Sequence, residues 1–206
     1  MNRSITIRVV ASTVVAVLSI GAWVQDGKPD LTPFKFFSAA VLVSTGIFLL
    51  WDFWLWQLKL IQKIPKVPRS VRGTWKGTLT SFWVDPQTGE RPGQKVVYLT
   101  VRQTGSAITI RLLTDESRSV SALAELAEID GQVSVRYLYL SKPDLSVEHR
   151  SRIHHGSTVL DVSGRPAQRL KGRYWTDRDS KGELEFALRS EKIADDYLEA
   201  SSYFES

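Results

Sequence analysis

Near residue 70 the apolar pattern of this chain changes period, and no single kind of domain accommodates both halves. Up to about Leu55 the apolar residues run almost continuously, whereas from Val71 onward they alternate with polar ones. A continuous apolar run of about 20 residues suits a helix crossing a hydrocarbon core of roughly 30 Å. Period-two alternation suits strands with one buried face.

The first half contains two such runs. VVASTVVAVLSIGAWV (9–24) holds 16 uncharged residues and reaches 20 when counted from Ile5, with Arg8 reaching outward. The second, Phe34 to about Leu55, carries only Lys35 near its start and Asp52 near its end. Together they predict a two-helix transmembrane hairpin over 1–58, with spans of about 5–24 and 34–55. Trp51, Trp54 and Trp56 stand where an interfacial aromatic belt would lie, and Lys59, Lys63 and Lys66 follow them. Arg3 and Arg8 precede the first span, and five Lys/Arg follow the second by Arg72. The connecting QDGKPDLTP has one lysine and two aspartates. The positive-inside rule therefore places both ends in the cytoplasm. A cleaved signal peptide competes for the first run, but the second span alone would still leave the remainder cytosolic. Asp52 suggests an ion path or, at the end of its span, an interfacial anchor. A channel would need a polar helix face, and neither span has one.

After a basic, proline-broken linker at 59–70, eight alternating segments follow: 71–84, 95–103, 106–113, 118–129, 131–141, 152–163, 168–177 and 182–190. The Ala/Leu/Glu content of 118–129 also suits a helix. Links such as Asp130-Gly131 and Ser163-Gly164 are short, which favours antiparallel neighbours. The expected fold is a hairpin followed by an all-β domain, a compact eight-stranded antiparallel up-and-down β-barrel over 71–190. An acidic tail, 191–206, closes the chain.

Charge and chemistry narrow the function. From Phe53 to Val84 there are six Lys/Arg and no acidic residue, while 77–206 is close to balanced with 17 Lys/Arg against 19 Asp/Glu. A basic stripe over a whole domain would indicate nucleic acid, and this pattern does not, so no DNA or RNA partner is expected. The absence of cysteine excludes disulfides and thiol nucleophiles. His149, His154 and His155 make no metal spacing, and no phosphate-binding glycine loop occurs. Neither catalysis, a metal nor a cofactor is expected, and the histidines read as surface residues.

A two-span hairpin, a basic juxtamembrane linker and a compact barrel opening with VRGTWKGTL together resemble one family. It is that of the two-transmembrane, β-strand-rich effectors of bacterial cyclic-oligonucleotide antiphage systems (CBASS), which act with cGAS/DncV-like nucleotidyltransferases. The resemblance covers the chain up to the acidic tail. It implies an inner-membrane protein whose cytosolic barrel senses a cyclic dinucleotide, self-associates into oligomers and disrupts the bilayer, killing the host cell. The competing function is a membrane-tethered, lipocalin-like barrel that binds a lipid or small metabolite, or a scaffold. A polar, cationic pocket would favour the first and a wide apolar one the second.

A cyclic dinucleotide needs aromatic faces for its bases and cationic donors for its phosphates. Tyr137 and Tyr139 share a strand face and could stack a base, or simply pack in the core. Arg173, beside Tyr174 and Trp175 near a strand end, could clamp a phosphate or lie over a ring. Arg136 alternates with the tyrosines and should point the other way. Trp75 could stack on ligand. Alternatively, with Arg189 on the last strand, it resembles the calycin arrangement in which Trp and Arg close one end of the barrel; the ligand would then enter opposite.

Overall fold

The structure, a computed structural model, describes residues 12–17, 19–20, 32–86, 88–148 and 151–205. The chain forms two compact units, Met1–Ile64 with Thr104–Ser106, and Pro65–Gln103 with Ala107–Ser206.

The first unit is helical. Most of the expected first span lies outside the described residues, and those of 12–17 and 19–20 are helical. Helix α1 (Thr32–Phe53) covers the expected second span. Among the described residues, Ala39–Gln57 is the one stretch long and apolar enough to cross a membrane. Beyond Phe53 the chain tightens into 3-10 turns at Leu55–Gln57 and Ile61–Lys63. These satisfy the carbonyls a helix end leaves open: Trp56 Nε1 and the Gly105 amide both donate to the Asp52 carbonyl at 2.9 Å, and Gln57 Nε2 donates to that of Phe53 at 2.8 Å. The three tryptophans therefore differ. Trp54 is 72% exposed, as a belt residue would be, whereas Trp56 is wholly buried because its turn folds it back against the helix end.

The second unit is a closed barrel of eight strands, each antiparallel to the next: β1 (Gly73–Ser81), β2 (Lys95–Gln103), β3 (Ile108–Leu113), β4 (Ser117–Ile129), β5 (Gln132–Pro143), β6 (His154–Ser163), β7 (Arg169–Thr176) and β8 (Lys181–Ser190). Strand β8 returns to β1 with Trp75 opposite Arg189. The ambiguous 118–129 segment is strand: twelve β4 residues pair with β5, from Ser117–Pro143 to Ile129–Gln132, and Ala124 and Leu126 pack on the core. Tertiary pairing overrides its helical composition. With β3 the same strand pairs over only three residues, 118–120, after which Ser121 Oγ takes the Ile110 amide at 2.9 Å.

One half of the barrel is filled by Trp75, Leu99, Val101, Ile110, Val135, Leu160 and Phe186, all fully buried. Arg189 seals it. Its guanidinium carbon lies 5.1 Å from the centre of the Trp75 ring. Its nitrogens donate to the Arg72 carbonyl at 2.6 and 3.0 Å and to the Ser70 carbonyl at 3.3 Å. Trp75 Nε1 donates to the Val71 carbonyl at 2.9 Å. The last part of the expected linker is laced to the same end, with Arg165 donating to the carbonyls of Pro65 and Val67 and Arg69 to that of Val162.

The tail packs on the outer wall. Asp196 caps a short helix, α2 (Tyr197–Ser202), by accepting the Glu199 amide at 2.8 Å. Asp195 bridges Arg102 at 2.6 Å and Arg111 at 3.2 Å, while Phe204 stacks on Tyr98 with ring centres 5.8 Å apart.

Replacing Arg189 with alanine leaves carbonyls at the sealed end without donors, and should lower stability by about 2–4 kcal/mol. Arg189→Lys should recover little, because an ammonium cannot match the planar fork of donors. Urea unfolding followed by tryptophan fluorescence measures both, and a lysine variant as stable as the parent would contradict this account.

Candidate binding cavity

At the end opposite Arg189 the barrel is not filled. A cavity of about 380 Å³ opens there, lined by the end of β1, the start of β2, the β3–β4 turn, the end of β5, the start of β6 and the β7–β8 hairpin. The volume falls within the range of small-molecule sites.

The walls follow from strand alternation. Leu79, Leu112 and Leu184 form the apolar depth of the cavity, and Tyr139 and Tyr174 stand above them. Each tyrosine is seated on a glycine of the neighbouring strand: Tyr139 faces Gly156 and Tyr174 faces Gly182. A Cβ at either glycine would overlap the tyrosine ring, so the missing side chains create room for aromatic faces in the wall. Nine of the 23 lining residues are serine or threonine, which spreads hydroxyls over a wall whose remaining surface is mainly apolar. Two hydroxyl pairs stand near the mouth, Thr114–Ser117 at 2.9 Å and Thr176–Ser180 at 2.8 Å.

Burial pushes the phenols of Tyr139 and Tyr174 up, so both remain neutral donors. Behind Tyr139, Tyr137 is 4% exposed, its centre 5.8 Å from the Tyr139 ring. Burial pushes the Tyr137 phenol up to about 12, partly offset by the adjacent Thr158 hydroxyl. The two hydroxyls face one another without a well-formed hydrogen bond, and each lacks any other partner. Thr158 lines the cavity, so an unsatisfied buried hydroxyl borders the space a ligand would enter. Besides the two tyrosines, the ionisable residues of the lining are Lys95, Glu116, His154 and Arg178. Arg178 reaches Ser151 Oγ at 3.5 Å, and its positive charge opposes the rise of the Tyr139 pKa. Among the described residues no group of three or more His, Asp or Glu is placed to hold a metal.

The six candidate ligand residues separate. Tyr139 and Tyr174 line the cavity, and Tyr137 lies one layer behind. Trp75 is at the far end, against Arg189, in the closing role. Arg173 and Trp175 are exposed on the outer face, because neighbours of an inward Tyr174 must point outward. Arg136 also stays outside, its Nε on Ser134 Oγ at 3.2 Å.

Five residues of the site were not among the candidates, the first being Lys95 at the start of β2. Trp83 was placed on β1, but that strand ends at Ser81 and Trp83 enters the wall from the loop. Arg178 belongs to a turn and Glu116 to another, beyond the reach of periodicity. His154 was legible: counting by two back from the buried Val162 and Leu160 passes Thr158 and Gly156 and reaches it. His155 is exposed, and His149 lies outside the described residues.

Residues 65–188 match the protein family described as Cap15, cyclic dinucleotide receptor domain. The chain is also 30% identical over 168 residues to CD-NTase-associated protein 15 of Staphylococcus schleiferi, covering 82% of this chain and 84% of that protein. Every cavity-lining residue falls within the matched range.

Gly156→Ala should destabilise the barrel by about 1–3 kcal/mol through overpacking. Combining it with Tyr139→Ala should cost less than the sum of the two, because the overlap with the ring is removed and only the lesser one with the Trp175 carbonyl remains; strictly additive losses in a double-mutant cycle would contradict the seat. A second expectation concerns acid. Burial holds the His154 imidazole below its ordinary value, while the Arg152 carbonyl, 2.9 Å from Nδ1, opposes the shift. The unfolded chain therefore takes up the proton first. The His154 contribution is complete above about pH 6.5 and is lost as pH falls from there through the depressed folded value. Urea melts at pH 7.5 and 5.5 should show a smaller acid penalty in His154→Gln than in the parent chain, and equal penalties would remove His154 from the account.

Proposed function

The chain belongs to the Cap15 cyclic dinucleotide receptor family, and from that premise we propose that it is a CBASS effector whose barrel binds a cyclic dinucleotide in the cavity at its open end. The observation that carries this reading is the make-up of one open-mouthed cavity within the family-matched domain: two tyrosine faces, a hydroxyl-rich wall, and Lys95 and Arg178. Flat bases call for the first, phosphate and ribose oxygens for the others. Tyr139 and Tyr174 are the proposed base-facing residues, with Trp83 at the rim. Arg178 and Lys95 are the proposed phosphate donors. The role is that of a receptor rather than an enzyme.

The rest of the mechanism extends from there. Residues 1–58 form a hairpin in the bacterial inner membrane, its second span supported by the apolar stretch Ala39–Gln57. The barrel over 71–190 faces the cytoplasm beyond the basic linker at 59–70, with the acidic tail 191–206 as its last segment. A nucleotidyltransferase would supply the messenger, in keeping with the name of the staphylococcal relative. Ligand binding would favour an assembled state only by the difference in affinity between the two states. Clustered spans would then breach the bilayer and kill the cell.

Calorimetric titration of the full chain in detergent with a panel of cyclic dinucleotides tests the reading. One member should saturate, Tyr139→Ala and Arg178→Ala should each weaken it by about tenfold or more, and Arg173→Ala should leave it unchanged. Binding indifferent to Tyr139 and Arg178 but lost with Arg173 would move the ligand to the outer wall.

A further inference from the structure

A lysine and an arginine line the cavity, and they differ in their surroundings. Arg178 makes a long contact with Ser151 Oγ, whereas Lys95 Nζ lies 2.8 Å from Glu116 Oε2. Glu116 is not on a loose loop. Its turn is closed by the Thr114 amide donating to the Ser117 carbonyl at 3.0 Å and by the Glu116 amide donating to Thr114 Oγ1 at 3.2 Å. Its own carbonyl accepts the Asp144 amide at 2.9 Å, joining this turn to the end of β5. The backbone therefore presents a carboxylate at a fixed position on the cavity wall, on the cation that an entering anion would seek.

The pair is poorly explained as a support for the fold. The two side chains are 42% and 32% exposed, and ion pairs so solvated contribute little to stability. We infer that Glu116 is a built-in competitor, occupying Lys95 in the empty barrel so that an anion must displace it to bind there. The consequence is selection by valency. An anion with one phosphate that uses Lys95 has to evict Glu116 and gains one cation. A ligand carrying two separated phosphates can engage Arg178 as well, and so bears the eviction better. This deepens the reading of the cavity as a cyclic dinucleotide site, but its core, competition for Lys95, concerns anions in general.

The test uses the full chain in detergent at low salt, with two probes: inorganic pyrophosphate and the cyclic dinucleotide panel. Glu116→Gln, which keeps the shape and removes the charge, should tighten pyrophosphate about fivefold. The gain should shrink at about 0.5 M salt and vanish in a Lys95→Met background. Glu116→Asp, with a shorter reach, should move affinity in the same direction by less. No gain with Glu116→Gln, a gain that persists without Lys95, or no pyrophosphate binding by any variant would each overturn the inference. Should pyrophosphate behave as expected while every cyclic dinucleotide fails to bind, the competitor stands and the proposed messenger falls.

Discussion

The contact on which this barrel depends is the return of its last strand to its first, fastened by one guanidinium. Arg189 stands opposite Trp75 in the β8–β1 ladder, covers the indole, and supplies donors to the carbonyls of Arg72 and Ser70. Closing a sheet removes its edges, but it leaves two open ends, and each must be filled or used. Here the aromatic and aliphatic volume is concentrated behind Arg189. The other end is left with leucines below, tyrosines above and space between. The cavity is thus the counterpart of the seal: apolar bulk spent at one end is absent from the other.

Charge is distributed in a way that suits an empty cavity as well as an occupied one. On the outer wall, Glu185 pairs with Arg169 at 2.6 Å and Lys171 at 3.2 Å, in contact with solvent where desolvation is small. Inward, most polar residues are hydroxyls. A hydroxyl donates and accepts, so Thr114 and Ser117, or Thr176 and Ser180, can satisfy one another in the absence of a guest and rotate toward one when it arrives. Unpaired buried charges in the same places would carry a far larger desolvation penalty. Tyr137 and Thr158 are the exception, two enclosed hydroxyls that the protein alone does not satisfy.

Much of this was legible in the sequence, because period two is a strong constraint. Alternation located all eight strands, and it put Tyr137 and Tyr139 on one face. The same rule, applied more strictly, would have withdrawn Arg173 and Trp175, since three consecutive residues cannot share one face of a strand. It would also have admitted His154. What periodicity cannot reach is a side chain on a turn: Trp83, Glu116 and Arg178 enter the wall from segments whose direction depends on local backbone bonds. The 118–129 segment was ambiguous for a different reason. Its composition suits either state, and only the long ladder with β5 decides between them.

An up-and-down barrel with an even number of strands has a parity. The chain that enters at Val71 leaves at Ser190 on the same side, and that side is the one Arg189 seals. Four connections, β1–β2, β3–β4, β5–β6 and β7–β8, meet at the other side, and neither terminus of the barrel passes among them. These loops can lengthen, shorten or exchange residues without touching the closure that holds the strands together. Eight strands thereby keep what ties the scaffold and what meets the guest at opposite ends of one barrel.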